Sequence, residues 1–531
     1  MLVSCNLTCT GLVFVALSVS ISLTHAENIL AIFSYAVGAP YLLVRPLIKR
    51  LVERGHEVTV VSSAMYFPTI NGTHHIRVHK LDQLMQELSE PELDFPTNKW
   101  TEAKFVSYFY YYSSYHILAD PQVQQILHNS SAHFDMIIVD TPHSDALCGF
   151  AKHFNAPMVG IAAYGAAWIV DYLAGNSAPS VTEPVSHMGY TYESTSLLNK
   201  WRNWIFLTEE WLLARLIYLP PQTKLYRQYF NDSYSNFDEI RRNFSLILVN
   251  QHFSLGRARS NVPNLIEIAG MHMCFQKDCK LDAMPEDLQR FMDEAEHGVI
   301  YFSMGIEILE NWLPKHMIQT LSETFSKLKQ RVVWKIDNWE TRQNKSDNVF
   351  YGSYLPQQQI LNHPNVKLFI THGGLLSIIE TTYYGVPILS LPFYYDQFWN
   401  AQRMRLAGAG ETLDLHSMNV EILNRSIHQI LQNPSYATNI RRMSTQFRDQ
   451  PMKPLETAVW WIEYVLRHKG AHYMRLAEHD MAFLQYYNID LVSIILGRIG
   501  LTAIIVILLG YKLTTFFIVH SHMSLNIPLI R

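Results

Sequence analysis

The chain reads as an α/β protein built from two doubly wound domains that face a cleft, followed by one membrane-spanning helix. Three observations predict this. Short apolar runs rich in β-branched residues alternate with helical stretches in two successive series, as parallel sheets with crossover helices require. The 531 residues exceed what one core supports, and two domains of about 200 to 250 residues are the natural division. Near the C-terminus, Asn488 to Lys512 is an almost unbroken apolar stretch long enough to cross a bilayer.

The elements follow in order. Leu12 to Leu23 is an apolar run too short to span, and Thr24-His25-Ala26 offers a small-residue cleavage site, so residues 1–26 read as a secretory signal. The first series occupies 27–281, with strands expected at "NILAIFSY", "HEVTVVSS", "FDMIIVDT", "APMVGIAA" and "FSLILVNQ". Lys277 to Pro285, charged and ending on proline, reads as the linker. The second series occupies 285–450, with strands at "GVIYFSMG", "QRVVWKID", "NVFYGSYL", "VKLFITHGG" and "VPILSLPF". Residues 451–488 are expected to be helical, 489–511 to span the membrane and 512–531 to form a cytosolic tail. Arg498 interrupts the span; an arginine at the bilayer centre costs about 2.5–3.5 kcal/mol on insertion scales, but nearer one end it snorkels.

Composition narrows the function. Apolar residues make up 48% and charged residues 17%, and the net charge is −4. With no long basic run, nothing points to nucleic acid. Two of the five cysteines lie in the signal; Cys274 and Cys279 are spaced to close a small loop, and Cys148 reads as a buried thiol. No metal-ligand spacing is present and no cofactor is called for. Sequons at Asn71, Asn129, Asn231, Asn243, Asn344 and Asn424 suit a body on the lumenal side of the endoplasmic reticulum membrane.

The chemistry concentrates in Tyr354 to Gln397, "YLPQQQILNHPNVKLFITHGGLLSIIETTYYGVPILSLPFYYDQ". Val366 to Ile370 is a buried strand, Thr371-His372-Gly373-Gly374 a tight turn and Leu375 to Tyr384 a helix. Two glycines where a strand meets a helix N-terminus let backbone N–H groups approach a diphosphate, whose charge the helix dipole favours. His372 adds a hydrogen bond, Glu380 suits ribose hydroxyls, and the carboxylate and amide of Asp396 and Gln397 suit the vicinal hydroxyls of a sugar. Upstream, Tyr108 to His116 and "GAAWIVDYL" are aromatic-rich and read either as an apolar acceptor pocket or as plain helix core.

This stretch closely resembles the signature of the UDP-glycosyltransferases, the membrane-bound family-1 enzymes, and "HGGLLS" is most like their invertebrate branch. The resemblance extends over nearly the whole chain through "RGHEVTVV", "VIYFSMG", "PNLIEIAGMH", "HPNVKLFITHGG" and "AVWWIEYVLRHKGAHYMR". It implies two Rossmann-like domains in the GT-B arrangement, with a small lipophilic acceptor bound by the N-terminal half and a UDP-sugar by the C-terminal half. By motif position Tyr354, Gln357, His372, Gly373, Gly374, Glu380, Asp396 and Gln397 would hold the donor, and the last helix before the span would cross back onto the N-terminal domain. The branch leans toward glucose as the sugar.

Departures from the family pattern are equally informative. Tyr354 stands for the usual tryptophan on uracil, Ile306 for a serine near the diphosphate, and Leu376 for an asparagine, as is ordinary in the "HGGLLS" branch. Counting back from "RGH", the histidine that deprotonates the acceptor falls on Pro40, and the aspartate that orients it falls on Asp140. Proline takes no proton. General-base help is worth about 10²–10⁴-fold, so amines and already ionised acceptors are expected to react and plain alcohols to react slowly. Two other readings stay open. One is a non-catalytic relative that binds a UDP-sugar or lipophile or pairs with an active subunit. The other is an alcohol transferase using His143, for which a core histidine is the competing interpretation.

Overall fold

The computed structural model describes residues 26–88, 99–176, 196–255, 261–273, 284–306, 308, 313, 315–337, 346–476 and 489–524. The signal segment up to residue 25, Cys274, Cys279, Asn344 and most of the expected linker lie outside these residues. Chain contacts separate a body, residues 1–475, from residues 476–531.

The body holds two parallel sheets. In the first, β1 (Asn28–Ile32), β2 (Glu57–Ser62), β3 (Thr73–Arg77), β4 (Met136–Asp140), β5 (Met158–Ala162), β6 (Phe244–Val249) and β7 (Leu265–Glu267) lie in the order β3-β2-β1-β4-β5-β6-β7. In the second, β8 (Val299–Ser303), β9 (Arg331–Lys335), β10 (Val349–Gly352), β11 (Val366–Thr371), β12 (Ile388–Ser390) and β13 (Gly410–Thr412) lie in the order β10-β9-β8-β11-β12-β13. The strands pair in parallel throughout, so the α/β class expected from the alternating pattern is the class observed. β4, β5, β6 and β8 are buried at every position, which is why they read as continuous apolar runs. In both sheets the chain order reverses once, between β1 and β4 and between β8 and β11. Doubly wound sheets bind ligands outside the carboxyl ends of the strands at such points.

Three strands escaped the sequence pattern for physical reasons, one of them β7, a three-residue strand at the edge of the first sheet. β3, "THHIR", is a half-exposed edge strand with a single buried residue, so no apolar run marks it. β13 has three residues and lies at the other sheet's edge.

The carboxyl ends of the sheets meet. A Cβ at Gly38, after β1, would lie 2.8 Å from Ile306 Cδ1, after β8. One at Gly165, after β5, would lie 3.2 Å from Leu375, after β11. The helix Pro454–Arg467 packs Ala458, Val459, Ile462 and Val465 into the core around β1, far back in the chain. Its Glu463 accepts both Arg54 guanidinium bonds at 2.8 Å, at the end of the helix Ala39–Glu53. Cys148 is buried with a free thiol, as its apolar context suggested.

Residues 489–524 form one helix, of which Ile489–Ile518 is long and apolar enough to cross a membrane. From Ile489 to Phe517 its side chains, Arg498 included, are exposed apart from the half-buried Thr515.

Candidate active site

At the β8/β11 reversal, His372 follows β11 and Gly305 follows β8. Both glycines that flank the imidazole are there for space. A Cβ on Gly305 would lie 2.6 Å from His372 Cε1, and one on Gly374 would press into His372 Nε2. Gly305 and Gly373 also have φ of 81° and 86°, which disfavours any side chain. The ring is buried, with Nδ1 3.1 Å from Thr371 Oγ1. Burial, and after it the charge of Lys335, pushes the imidazole pKa down to about 4, so it is neutral at physiological pH. Gly374 caps the helix Leu375–Tyr384, which leaves the first N–H groups of that helix pointing past His372.

Lys335, at the carboxyl end of β9, went unnoticed in the sequence. Its Nζ donates to Gly305 O at 2.9 Å, and burial lowers its pKa. The ammonium therefore sits against the same turn as His372. A cation closing a strand at the sheet's ligand-facing end was the available signal.

The other motif residues divide. Glu380, buried in the same helix, accepts from Gln357 Nε2 at 2.6 Å and stands 3.2 Å from His272 Nε2. Gln357 is further held by Ser377 at 3.2 Å and by the Tyr301 hydroxyl at 3.2 Å. These two side chains thus tie the helices Gln357–Asn362 and Leu375–Tyr384 together. Tyr354 is 80% exposed and stands at the rim. Asp396 and Gln397 begin the helix Gln397–Leu406, six residues beyond the end of β12 rather than directly on it. Asn400 Nδ2 joins the Asp396 carboxylate, at 2.7 Å, to Gly373 O, at 3.1 Å, which brings this pair beside the glycine turn. Gln397 Oε1 accepts from the backbone N–H of Phe393 and Tyr394 at 2.8 and 3.2 Å, fixing the approach to the pair.

At the β1/β4 reversal the residues differ in kind. Pro40 is buried in the first turn of the helix Ala39–Glu53, where its fixed φ and missing N–H cost nothing. Asp140 ends β4 and is buried. Its Oδ1 accepts from Ser34 N at 2.9 Å, and its Oδ2 from Ser34 Oγ at 2.6 Å and Ser144 Oγ at 2.7 Å. Burial raises its pKa while these donors pull it back. With proline at position 40, the oxygens of Asp140 are taken up by two serines.

Beside this cluster, a cavity in the N-terminal half is lined by His143, Trp168, Ile169, Leu213 and Tyr218, with Tyr395 closing it from the C-terminal half. His143 is buried with φ 85°, and its ring lies tilted by 38° against that of Tyr218, centroids 4.4 Å apart. A non-glycine residue in that region is strained, and such strain concentrates at functional sites. Of the two aromatic stretches, "GAAWIVDYL" reaches the cavity; Tyr110 of the other touches His143 at 5.4 Å.

Two parallel sheets meeting at their carboxyl ends, with a glycine turn and a helix N-terminus in one half and an aromatic cavity in the other, define the architecture of the GT-B glycosyltransferases. Solved structures share it. The calicheamicin glycosyltransferase CalG4 superposes with a TM-score of 0.55 at 14% identity, covering 84% of this chain and 99% of its own. The glycosyltransferase VinC in complex with dTDP gives 0.54 at 15%, covering 83% and 100%. A family model described as "UDP-glucoronosyl and UDP-glucosyl transferase" matches residues 32–522. UDP-glycosyltransferase UGT5 of Dactylopius coccus is 30% identical over 513 residues, 94% of each chain. UDP-glucuronosyltransferase 1A8 of Homo sapiens is 28% identical over 486 residues, 88% of each. The chain belongs to the UDP-glucuronosyl and UDP-glucosyl transferase family.

Proposed function

We propose that this chain transfers a hexose, glucose in the first instance, from a UDP-sugar to small lipophilic acceptors with inversion, and that it prefers amines and acidic hydroxyls to alcohols. The observation that carries the preference is the pairing of Pro40, which cannot take a proton, with an Asp140 whose oxygens are occupied by Ser34 and Ser144.

The leaving-group half is equipped for the reaction. Backbone N–H groups at the start of the helix Leu375–Tyr384 and the neutral imidazole of His372 would take the diphosphate, with Lys335 supplying positive charge behind the turn. Asp396 and Gln397 would hold the sugar hydroxyls, Glu380 the ribose and Tyr354 the uracil. As the acceptor lone pair forms its bond to the anomeric carbon, the bond to UDP breaks and UDP departs with the electron pair. An amine sheds its proton after attack, and a phenolate or carboxylate has none to lose. An alcohol must lose its proton as it attacks, without the general-base help worth about 10²–10⁴-fold.

The apolar helix Ile489–Ile518 would anchor the body to the endoplasmic reticulum membrane on its lumenal side, where conjugation of lipophiles serves detoxification. In support, the side chains of Asn71, Asn129, Asn231, Asn243 and Asn424 are all exposed, as glycosylation requires.

The test is an assay of membrane-bound protein with UDP-glucose, UDP-glucuronate and UDP-N-acetylglucosamine against an amine, a phenol and an alcohol. Amine or phenol conjugates should form much faster than alcohol conjugates. Equal rates for all three would overturn the preference, and UDP binding without turnover would favour a second reading. That reading, a non-catalytic relative that binds its ligand or partners an active subunit, draws on Ile306, whose methyl packs toward Gly38 across the cleft where the family carries a hydroxyl.

A further inference from the structure

Tyr395 is one of the residues at which the two halves of the body grip one another. It lies immediately before Asp396 and Gln397, and its φ of 55° is left-handed, which a bulky aromatic side chain rarely adopts. Two groups from the N-terminal half hold it there. Glu102, on the helix Lys99–Ala119, accepts from Tyr395 N at 2.9 Å, across 293 residues of chain. The ring of Tyr164, just after β5, meets the Tyr395 ring edge-on at 5.4 Å and 88°. The same Tyr395 ring closes the acceptor cavity. On its other side, Asn400 connects Asp396 to Gly373 O, which ties the turn holding His372 to the loop holding Tyr395.

We propose that Glu102 is a positioning residue for the sugar end of the donor site: by holding Tyr395 in its left-handed conformation it aims Asp396 and Gln397 at the hexose when the two domains are together. This rests on the donor site proposed above. A carboxylate is suited to the task because a charged acceptor forms a stronger bond to a backbone N–H than a neutral one. Burial pushes the Glu102 carboxyl up to about 7, against the pull of the Tyr395 N–H and Lys99. The surrounding groups are Lys99 and Tyr110 on its own helix, Glu209 and Glu210 on the helix Leu197–Leu213, Tyr218 beyond it, and Tyr395 and Asp396 from the facing loop. Lys99 is shared among three carboxylates, and its pull on Glu102 offsets only part of the effect of burial. The grip on Tyr395 therefore strengthens as pH rises through about 7.

The readout is the sugar-dependent part of donor affinity: the ratio of Kd for UDP to Kd for UDP-glucose on the full-length protein in detergent, with UDP-N-acetylglucosamine as a parallel arm. Glu102→Ala should lower that ratio about tenfold or more, the size of one charge-assisted hydrogen bond, while leaving the Kd for UDP within about twofold. Glu102→Gln keeps an oxygen acceptor; it should recover most of the ratio and lose the rise between about pH 6 and about pH 8. Tyr164→Leu, which removes the ring contact alone, should shift the ratio in the same direction as Glu102→Ala. If Glu102→Ala weakens UDP and UDP-sugars equally, or leaves the ratio unchanged, the inference is overturned while the donor site stands. If the wild-type protein binds no UDP, the donor site itself falls, and the role of Glu102 with it.

Discussion

Pro40 and Asp140 show how a site changes when one residue leaves it. Proline is a good first-turn helix residue, and Tyr41 beside it ties the loop down, its hydroxyl donating to Tyr35 O at 2.5 Å and accepting from Ser63 N at 3.0 Å. Asp140 accepts three bonds, of which the two from Ser34 join the ends of β1 and β4. Restoring a base at position 40 should therefore give little by itself. Pro40→His is expected to raise kcat/KM for an alcohol acceptor only slightly, whereas Pro40→His with Ser34→Ala and Ser144→Ala, which together free Asp140 Oδ2, should approach the about 10²-fold lower end of general-base catalysis. A large gain from the single substitution would mean that the serine bonds do not restrain Asp140. Removing the carboxylate has its own signature. Asp140→Ala strands one buried N–H and two hydroxyls and should cost about 1–3 kcal/mol in denaturant unfolding, an effect absent if those donors find other partners.

At the scale of elements, the donor turn works because neighbouring strands of one sheet deliver unlike parts to one place. β8 is followed by a glycine that leaves room, β11 by a histidine that fills it, and β9 ends in a lysine that lends charge. Gly305→Ala should be doubly unfavourable, since φ is 81° and the new methyl meets the imidazole; weaker UDP binding with a Tm lowered by several degrees, roughly the effect of 1–2 kcal/mol, is the expected result. Lys335→Met keeps the stem and removes the charge, and should raise the Kd for UDP about tenfold with little change in Tm. An unchanged Kd would show that the ammonium serves only Gly305 O. The strand–turn–helix unit was readable because its signals are local: a β-branched run, two glycines and a helical period. Glu102 was not, because it acquires meaning only from a partner on another element, and the one local sign of Lys335 was its place at the end of a strand.

For the whole molecule, buried neutral histidine sets part of the acid limit. His372 has a folded pKa of about 4 against an ordinary 6.5, so protonation favours the unfolded chain. Its contribution is fully present above about pH 6.5 and is lost as pH falls toward 4. The wild type should accordingly lose more stability over that interval than His372→Gln, measured by urea midpoint; parallel curves would show the ring is not buried neutral. The sequence by itself determined the two βαβ series, the glycine turn, the apolar span and the absence of a proton acceptor at position 40, since each is written in neighbouring residues and their periodicity. Only the tertiary structure decided that Ser34 and Ser144 occupy Asp140, that Gln357 and His272 share Glu380, and that Glu102 holds Tyr395. Those partners are brought together from distant parts of the chain by sheet order and domain contact, and no local pattern encodes a distance that packing alone closes.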